Sequence, residues 1–188
     1  MPDESGPFRL LGDDEAESQR KRRGIALLPN LITTAALLAG FFAIVSGIRG
    51  NFIAAAIAIV IAQILDAMDG RVARLTRTES DFGAQYDSLS DMVAFGVAPG
   101  ILVFQWGLGP LHQAAHVLTF TYMACAALRL ARFNTTGSSE SFTGLPTPAS
   151  AGIIASGVWL GSTTIPTPGV AVGILVALLT LLVCALMI

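Results

Sequence analysis

Apolar residues gather in six long runs, roughly 27–48, 51–70, 84–104, 113–132, 146–163 and 168–188. Turn chemistry breaks them at Gly47 to Gly50, at Gly107, Gly109 and Pro110, between Gly137 and Pro148, and at Pro166 to Gly169. Each run approaches the ~20 residues that a tilted helix needs to cross hydrocarbon. The pattern predicts an all-α integral membrane protein with about six transmembrane helices, in two parts. Residues 1–23 form a polar N-terminal segment ending in a basic anchor, and residues 24–188 form the six-helix domain. The last run ends in Leu186-Met187-Ile188 with no polar tail, so a longer native chain with further helices is an open expectation.

Composition agrees: 53% of residues are hydrophobic, only 13% are charged, and mean hydropathy is +0.68. These values exclude an ordinary water-soluble domain. The formal net charge of −2 gives no reason to expect a nucleic-acid partner. Charge placement is more informative than the total. Asp3, Glu4, Asp13, Asp14, Glu15 and Glu17 are followed by Arg20, Lys21, Arg22 and Arg23, a solvated head with a juxtamembrane anchor rather than a cleavable signal. Five basic residues precede the first run, Arg71, Arg74 and Arg77 follow the second, and Arg129 and Arg132 close the fourth. The three opposite connections share only Arg49. This bias places the N-terminus and the connections after helices 2 and 4 in the cytoplasm of a cell whose inner membrane holds the chain.

Other residues read as structural. Cys125 and Cys184 lie inside apolar runs and are expected as buried thiols. His112 and His116 have ligand spacing but fall on the side opposite the basic connections, where an interfacial role is expected. Trp106 and Trp159 fit an interfacial aromatic belt.

The polar exception is "LDAMDGRVARLTRTESDFGAQYDSLSDMVAFG", residues 65 to 96. Asp66 and Asp69 are three residues apart, and Asp87 and Asp91 four, so each pair shares one helix face. The two helices would meet in a hairpin near residues 78–80, and both pairs would lie ~12–20 Å below its apex at ~1.5 Å rise per residue. Four carboxylates at one depth repel one another and are costly to desolvate, so cations must compensate. All-oxygen ligands select hard ions, and four carboxylates suit two divalent ions gripping a phosphoryl group or pyrophosphate. Gly70, Ala73 and Gly83 leave a slot beside them, and Arg74 offers a fork suited to phosphate oxygens.

Asp66-x-x-Asp69-Gly70-x-x-Ala73-Arg74, eight residues, then Gly83-x-x-x-Asp87-x-x-x-Asp91 resembles the full signature of the CDP-alcohol phosphotransferases. The resemblance implies a membrane enzyme that moves a phosphatidyl or similar group from a CDP-linked donor to an alcohol and releases CMP. It implies two divalent cations, Mg²⁺ or Mn²⁺, and a homodimer. Asp66, Asp69 and Asp87 would be metal ligands, and Asp91 a ligand and the catalytic base. Gly70, Ala73, Arg74 and Gly83 would shape the nucleotide and pyrophosphate site, together with Asn30 and Thr33 at the start of helix 1.

The acceptor is read from three further stretches. "LLPNLITTAALLAG" (27–40), "LRLARFN" (128–134) and "FTGLPTPASAG" (142–152) are similar to those of bacterial integral-membrane phosphatidylserine synthases. That resemblance implies CDP-diacylglycerol and L-serine as substrates within the lipid bilayer. Arg129 and Arg132, with Asn134 just beyond, are candidates for the serine carboxylate, or else ordinary membrane anchors. Acceptors such as glycerol 3-phosphate or inositol phosphate remain alternatives, although helix 1 carries no charge between Arg23 and Arg49. An ion-coupled transporter is the alternative outside enzymes, but it has no need of the Gly-x-x-Ala-Arg slot. An intramembrane prenyltransferase would carry its two aspartate motifs far apart, and here they share one hairpin.

Overall fold

The computed structural model describes residues 29–76, 80–136 and 144–188. The N-terminal segment 1–23, Arg77 and most of the connection after helix 4 lie outside the described residues. Six helices follow in the expected order: α1 (Pro29–Ile48), α2 (Phe52–Thr76), α3 (Asp81–Leu111), α4 (Gln113–Thr136), α5 (Thr147–Thr164) and α6 (Val170–Met187). Among the described residues there is no strand. All but α5 are long and apolar enough to cross a membrane, and the chain is a multi-pass membrane protein. α5 falls short because serine and threonine dilute its apolar residues. Thr147, Ser150, Ala151, Ile154, Ala155 and Val158 turn inward on it, while Ile153, Trp159 and Leu160 are exposed on the other face.

Two helices run past the ends their hydropathy suggests. α2 continues through Arg71 and Arg74 to Thr76, because Arg, Val, Ala and Leu sustain a helix after it becomes charged. Gly70, Ala73 and Arg74 therefore sit on a helix rather than in a loop. α3 begins early, at Asp81, because Ser80 caps it: the Ser80 hydroxyl accepts from the Gly83 N–H at 3.1 Å.

Small residues govern how closely the helices approach. On α1, Thr33, Ala36, Gly40, Ala43 and Gly47 form one buried stripe. The stripe runs parallel to α3, since a Cβ on Gly40 would lie 2.8 Å from the Ala94 Cα and one on Gly47 would touch Leu102 at 3.7 Å. On α2 the buried stripe is Ala55, Ala58, Ile59 and Ala62, and Asp69 continues it toward the basic end. Without a hydrophobic drive between helices in lipid, such close backbone contact is a main source of their cohesion.

α3 is regular only to Asp91. Two wide π turns follow, Met92–Val97 and Phe104–Leu108, and each precedes a proline by one or two residues. Pro99 has no N–H to give the carbonyl four residues back, that of Phe95. The buried Tyr122 hydroxyl of α4 donates to that carbonyl at 2.9 Å and lies 3.2 Å from Ser150 Oγ of α5. One phenol thus binds three helices at the point where α3 loses its own bond.

At the far end Trp106 departs from expectation. It is buried, not part of an outward belt, while Trp159 is well exposed. The indole lies over Gly161 and donates to the Ile165 carbonyl at 3.2 Å. The reason is the missing side chain: a Cβ at Gly161 would fall 2.0 Å from the ring. His112 and His116 occupy this same end, away from the aspartates, with the His116 ring edge-on to Phe104. Cys125 and Cys184 are buried and free, as expected. Gly161→Ala must expel the indole and is expected to cost about 1–3 kcal/mol, the usual range for overpacking. Thermal unfolding in detergent, with the shift of tryptophan emission toward water, measures it, and Gly161→Ala combined with Trp106→Leu is expected to recover part of the loss.

Candidate active site

The aspartates meet where the stripe of α2 reaches the start of α3. Asp66, Asp69 and Asp87 each turn one oxygen inward, and the three oxygens lie within 4.8 Å of one another. Asp91, four residues after Asp87, closes the regular part of α3 on the same helix face. The antiparallel pairing of α2 and α3 therefore brings Asp66, Asp69 and Asp87 together, three of the four carboxyl groups that the spacing places at one depth.

α1 supplies the third wall. Thr33, 5% exposed, donates from Oγ1 to Asp69 Oδ2 at 2.8 Å, with the Pro29 carbonyl 3.1 Å from the same oxygen. Ser90, the neighbour of Asp91, donates to the Thr33 carbonyl at 3.2 Å. Nearer the surface the Thr34 and Tyr86 hydroxyls are 2.9 Å apart, and the Tyr86 ring stacks on Phe82. The three helices at the site are thus joined by directional bonds as well as by packing. Thr33 was expected beside the nucleotide; here its hydroxyl faces a carboxylate.

The small residues divide by location. A Cβ at Gly70 would meet only the tip of Arg74, at 4.0 Å, so that face of α2 is open. Arg74 lies over it, with Nε donating to the Gly70 carbonyl at 2.9 Å. Ala73 is half-buried beside them. Gly83 faces the other wall, where a Cβ would lie 3.1 Å from Ser80 Oγ and 3.6 Å from Asn30 Oδ1. Gly83 and Asn30 are therefore neighbours.

Arg129, Arg132 and Asn134 lie together on the last turns of α4. The Arg129 guanidinium donates to the Met187 carbonyl at 2.9 Å and to the Gly144 carbonyl at 3.4 Å. It ties α4 to the end of α6 and to the start of the segment before α5, a cation placed where helix carbonyls are unsatisfied. Leu145 N–H adds a bond to the Leu186 carbonyl at 2.6 Å. Asn134 reaches α3, with Nδ2 2.9 Å from Ser88 Oγ, one residue beyond Asp87. Arg132 is exposed on the same end of α4. Tyr122, Ser90 and Gln63 went unmarked in the sequence. For Tyr122 and Gln63 the signal is a polar side chain in the middle of an apolar run, while Ser90 is lost among the polar residues of the aspartate stretch.

Three inward carboxylates with a buried hydroxyl on one of them make an all-oxygen donor set that can hold a divalent cation. The sequence pattern of the CDP-alcohol phosphatidyltransferases matches residues 26–187. The chain belongs to that family. A CDP-diacylglycerol–serine O-phosphatidyltransferase of Helicobacter pylori is 41% identical over 134 residues, 68% of this chain and 55% of that protein. An archaetidylserine synthase of Methanothermobacter thermautotrophicus is 36% identical over 143 residues, 74% of this chain and 60% of its own length. A CDP-diacylglycerol–serine O-phosphatidyltransferase of Bacillus subtilis is 36% identical over 122 residues, 64% of this chain and 69% of that protein. The chain thus spans little more than half the length of the first two.

The bond from Thr33 to Asp69 is testable apart from catalysis. Thr33→Val keeps the shape but removes the donor, and is expected to cost about 1.5–3 kcal/mol in unfolding experiments in detergent, the range for a hydrogen bond to a charged group. Thr33→Ser is expected to stay close to wild type.

Proposed function

We propose that this chain transfers the phosphatidyl group of CDP-diacylglycerol to L-serine, forming phosphatidylserine and CMP. The convergence of Asp66, Asp69 and Asp87 within 4.8 Å carries the reading, because it joins the family signature to a working donor set. The serine named for two of the relatives, and the serine in the product of the third, support the acceptor. In this reading Asp66, Asp69, Asp87 and Asp91 hold two divalent cations, Mg²⁺ or Mn²⁺. Bound there, the ions would neutralise the diphosphate and acidify a nearby hydroxyl. Arg74, over the open face of Gly70 and Ala73, binds phosphate oxygens, and Asn30 with Gly83 forms the opposite side of the nucleotide slot. Thr33 serves the slot through Asp69. Arg132 receives the serine carboxylate, with Asn134 beside it, while Arg129 braces the end of α4 through backbone carbonyls.

The serine hydroxyl attacks the phosphorus that carries the diacylglycerol. Asp91 accepts its proton, a new serine O–P bond forms, and the bond to the bridging oxygen breaks to release CMP. Asp91 suits the role because it is the last residue of the regular part of α3 and lies deepest of its pair. The basic ends of α2 and α4 support a site facing the cytoplasm from the inner membrane, and a homodimer completes the reading.

An acceptor screen tests it. With CDP-diacylglycerol and Mn²⁺ or Mg²⁺, CMP release is expected with serine and not with glycerol 3-phosphate or inositol phosphate. A chelator is expected to abolish release, and either ion to restore it. Phosphatidylglycerophosphate as the product would refute the acceptor, and undiminished turnover in chelator would refute the ions. For Asp91→Asn, donor affinity is expected to survive while turnover falls about 10²-fold or more, the scale of a lost general base. Direct displacement also requires inversion at the transferred phosphorus, which a chiral-phosphate donor reads.

A further inference from the structure

Gln63 is a polar residue on an otherwise apolar stretch of α2, three residues before Asp66 and on nearly the same face. Its amide Nε2 donates to the Pro148 carbonyl in the first turn of α5 at 2.5 Å. The amide reaches that carbonyl across Gly152, where a Cβ would lie only 2.9 Å from Nε2. Gly152 is therefore the gap through which a side chain of α2 grips the backbone of α5.

The rest of this contact is smooth. α2 offers Ala55, Ala58, Ile59 and Ala62, and α5 offers Ala151, Ile154 and Ala155, all buried. Such surfaces bring helices close but resist rotation weakly, since no contact depends strongly on angle. A side-chain tip sits about 5–6 Å from a helix axis, so a turn of about 20° moves it roughly 2 Å. Metal–ligand distances tolerate about 0.2 Å. Thr33 gives α2 a directional bond to α1 at Asp69; against α5 that part falls to the Gln63 amide, one turn from Asp66.

We propose that Gln63 is a positioning residue that sets the rotation of α2 against α5 and so aims Asp66 and Asp69 at Asp87. The inference rests on the reading of these aspartates as a divalent-ion site. Gln63 touches neither the ion nor a substrate. It acts through the backbone of α2, with Gly152 as its required partner.

The test is binding of Mn²⁺ alone to the full chain in detergent, read by the electron paramagnetic resonance signal of free Mn²⁺, with thermal unfolding measured alongside. Gln63→Leu is expected to unfold near the wild-type temperature yet raise the Mn²⁺ Kd about 10-fold, the lower end of what outer-shell changes do to metal affinity. Gly152→Ala is expected to do the same, because its methyl displaces the amide. In a Gln63→Ala background, Gly152→Ala is expected to add nothing. A folded Gln63→Leu with unchanged Mn²⁺ affinity overturns the proposal. So does a Gly152→Ala effect of equal size with and without Gln63, which marks simple packing, and this pair decides the matter if Gln63→Leu does not fold. Failure of the wild type to bind Mn²⁺ instead removes the ion site itself, and the inference with it.

Discussion

The structure depends on bringing carboxylates from two helices, Asp66 and Asp69 on one and Asp87 on the other, to one point inside a bundle that lipid surrounds. In hydrocarbon, apolar side chains have no reason to prefer another helix over a lipid tail, so close contact and directional bonds must hold the bundle. Both are concentrated here. Gly40 lets α1 lie against the Ala94 backbone, one turn beyond Asp91. Alanines keep the inner face of α2 flat up to Asp66. A larger residue at any of these points would part the helices by more than a carboxylate cluster can tolerate.

Hydrogen bonds then supply what small residues cannot, a preferred angle. Thr33 to Asp69, Ser90 to the Thr33 carbonyl, and Gln63 to the Pro148 carbonyl each join a different pair of helices around the site. Tyr122 performs a related task one turn deeper. Pro99 denies the Phe95 carbonyl its helical partner, and the phenol replaces it. The interruption lies just past Asp91, so α3 is rigid where it carries aspartates and irregular only where another helix supports it. Thr33, Ser90, Gln63 and Tyr122 are therefore placed at joints around the helices that carry the carboxylates.

Much of this was legible in the sequence, for a physical reason. Membrane helices announce themselves by length and hydropathy, and the aspartate spacing fixes which side chains share a face; six helices and the converging cluster follow. Hydropathy fails where a helix leaves hydrocarbon without ending: the apolar run stops near residue 70, whereas a hairpin near 78–80 already implies the helix through Arg74 to Thr76. It also falls short for α5, whose serines and threonines keep it out of the set of helices apolar enough to cross a membrane although one face of it is buried. Trp106 misled because a tryptophan near a helix end usually marks the interface. Only Gly161, 55 positions away in the sequence, provides the space that draws it inward. Arg129 shows the same limit: in the sequence it is open between the serine carboxylate and a membrane anchor, and its bonds to the Met187 and Gly144 carbonyls leave no local pattern. Partners distant in the chain carry no local pattern.

The depth of the cluster matches the chemistry proposed for it. CDP-diacylglycerol is an amphiphile whose reacting phosphorus lies between a charged nucleotide and two acyl chains, and serine arrives from water. A site in water would have to lift the acyl chains out of the bilayer, at about 0.8 kcal/mol for each CH₂ exposed. A site at the bilayer centre would have to bury the diphosphate, at a far greater cost. The aspartates avoid both. They lie inside spans that become charged one turn later, at Arg71 and Arg74, with the open face of Gly70 between. At that level the acyl chains can stay in hydrocarbon while the nucleotide stays among polar groups. The continuation of α2 past its apolar stretch thus has a functional consequence. It carries one helix past the end of its apolar stretch, and in the proposed reading it aligns the ion ligands below with the phosphate contacts above.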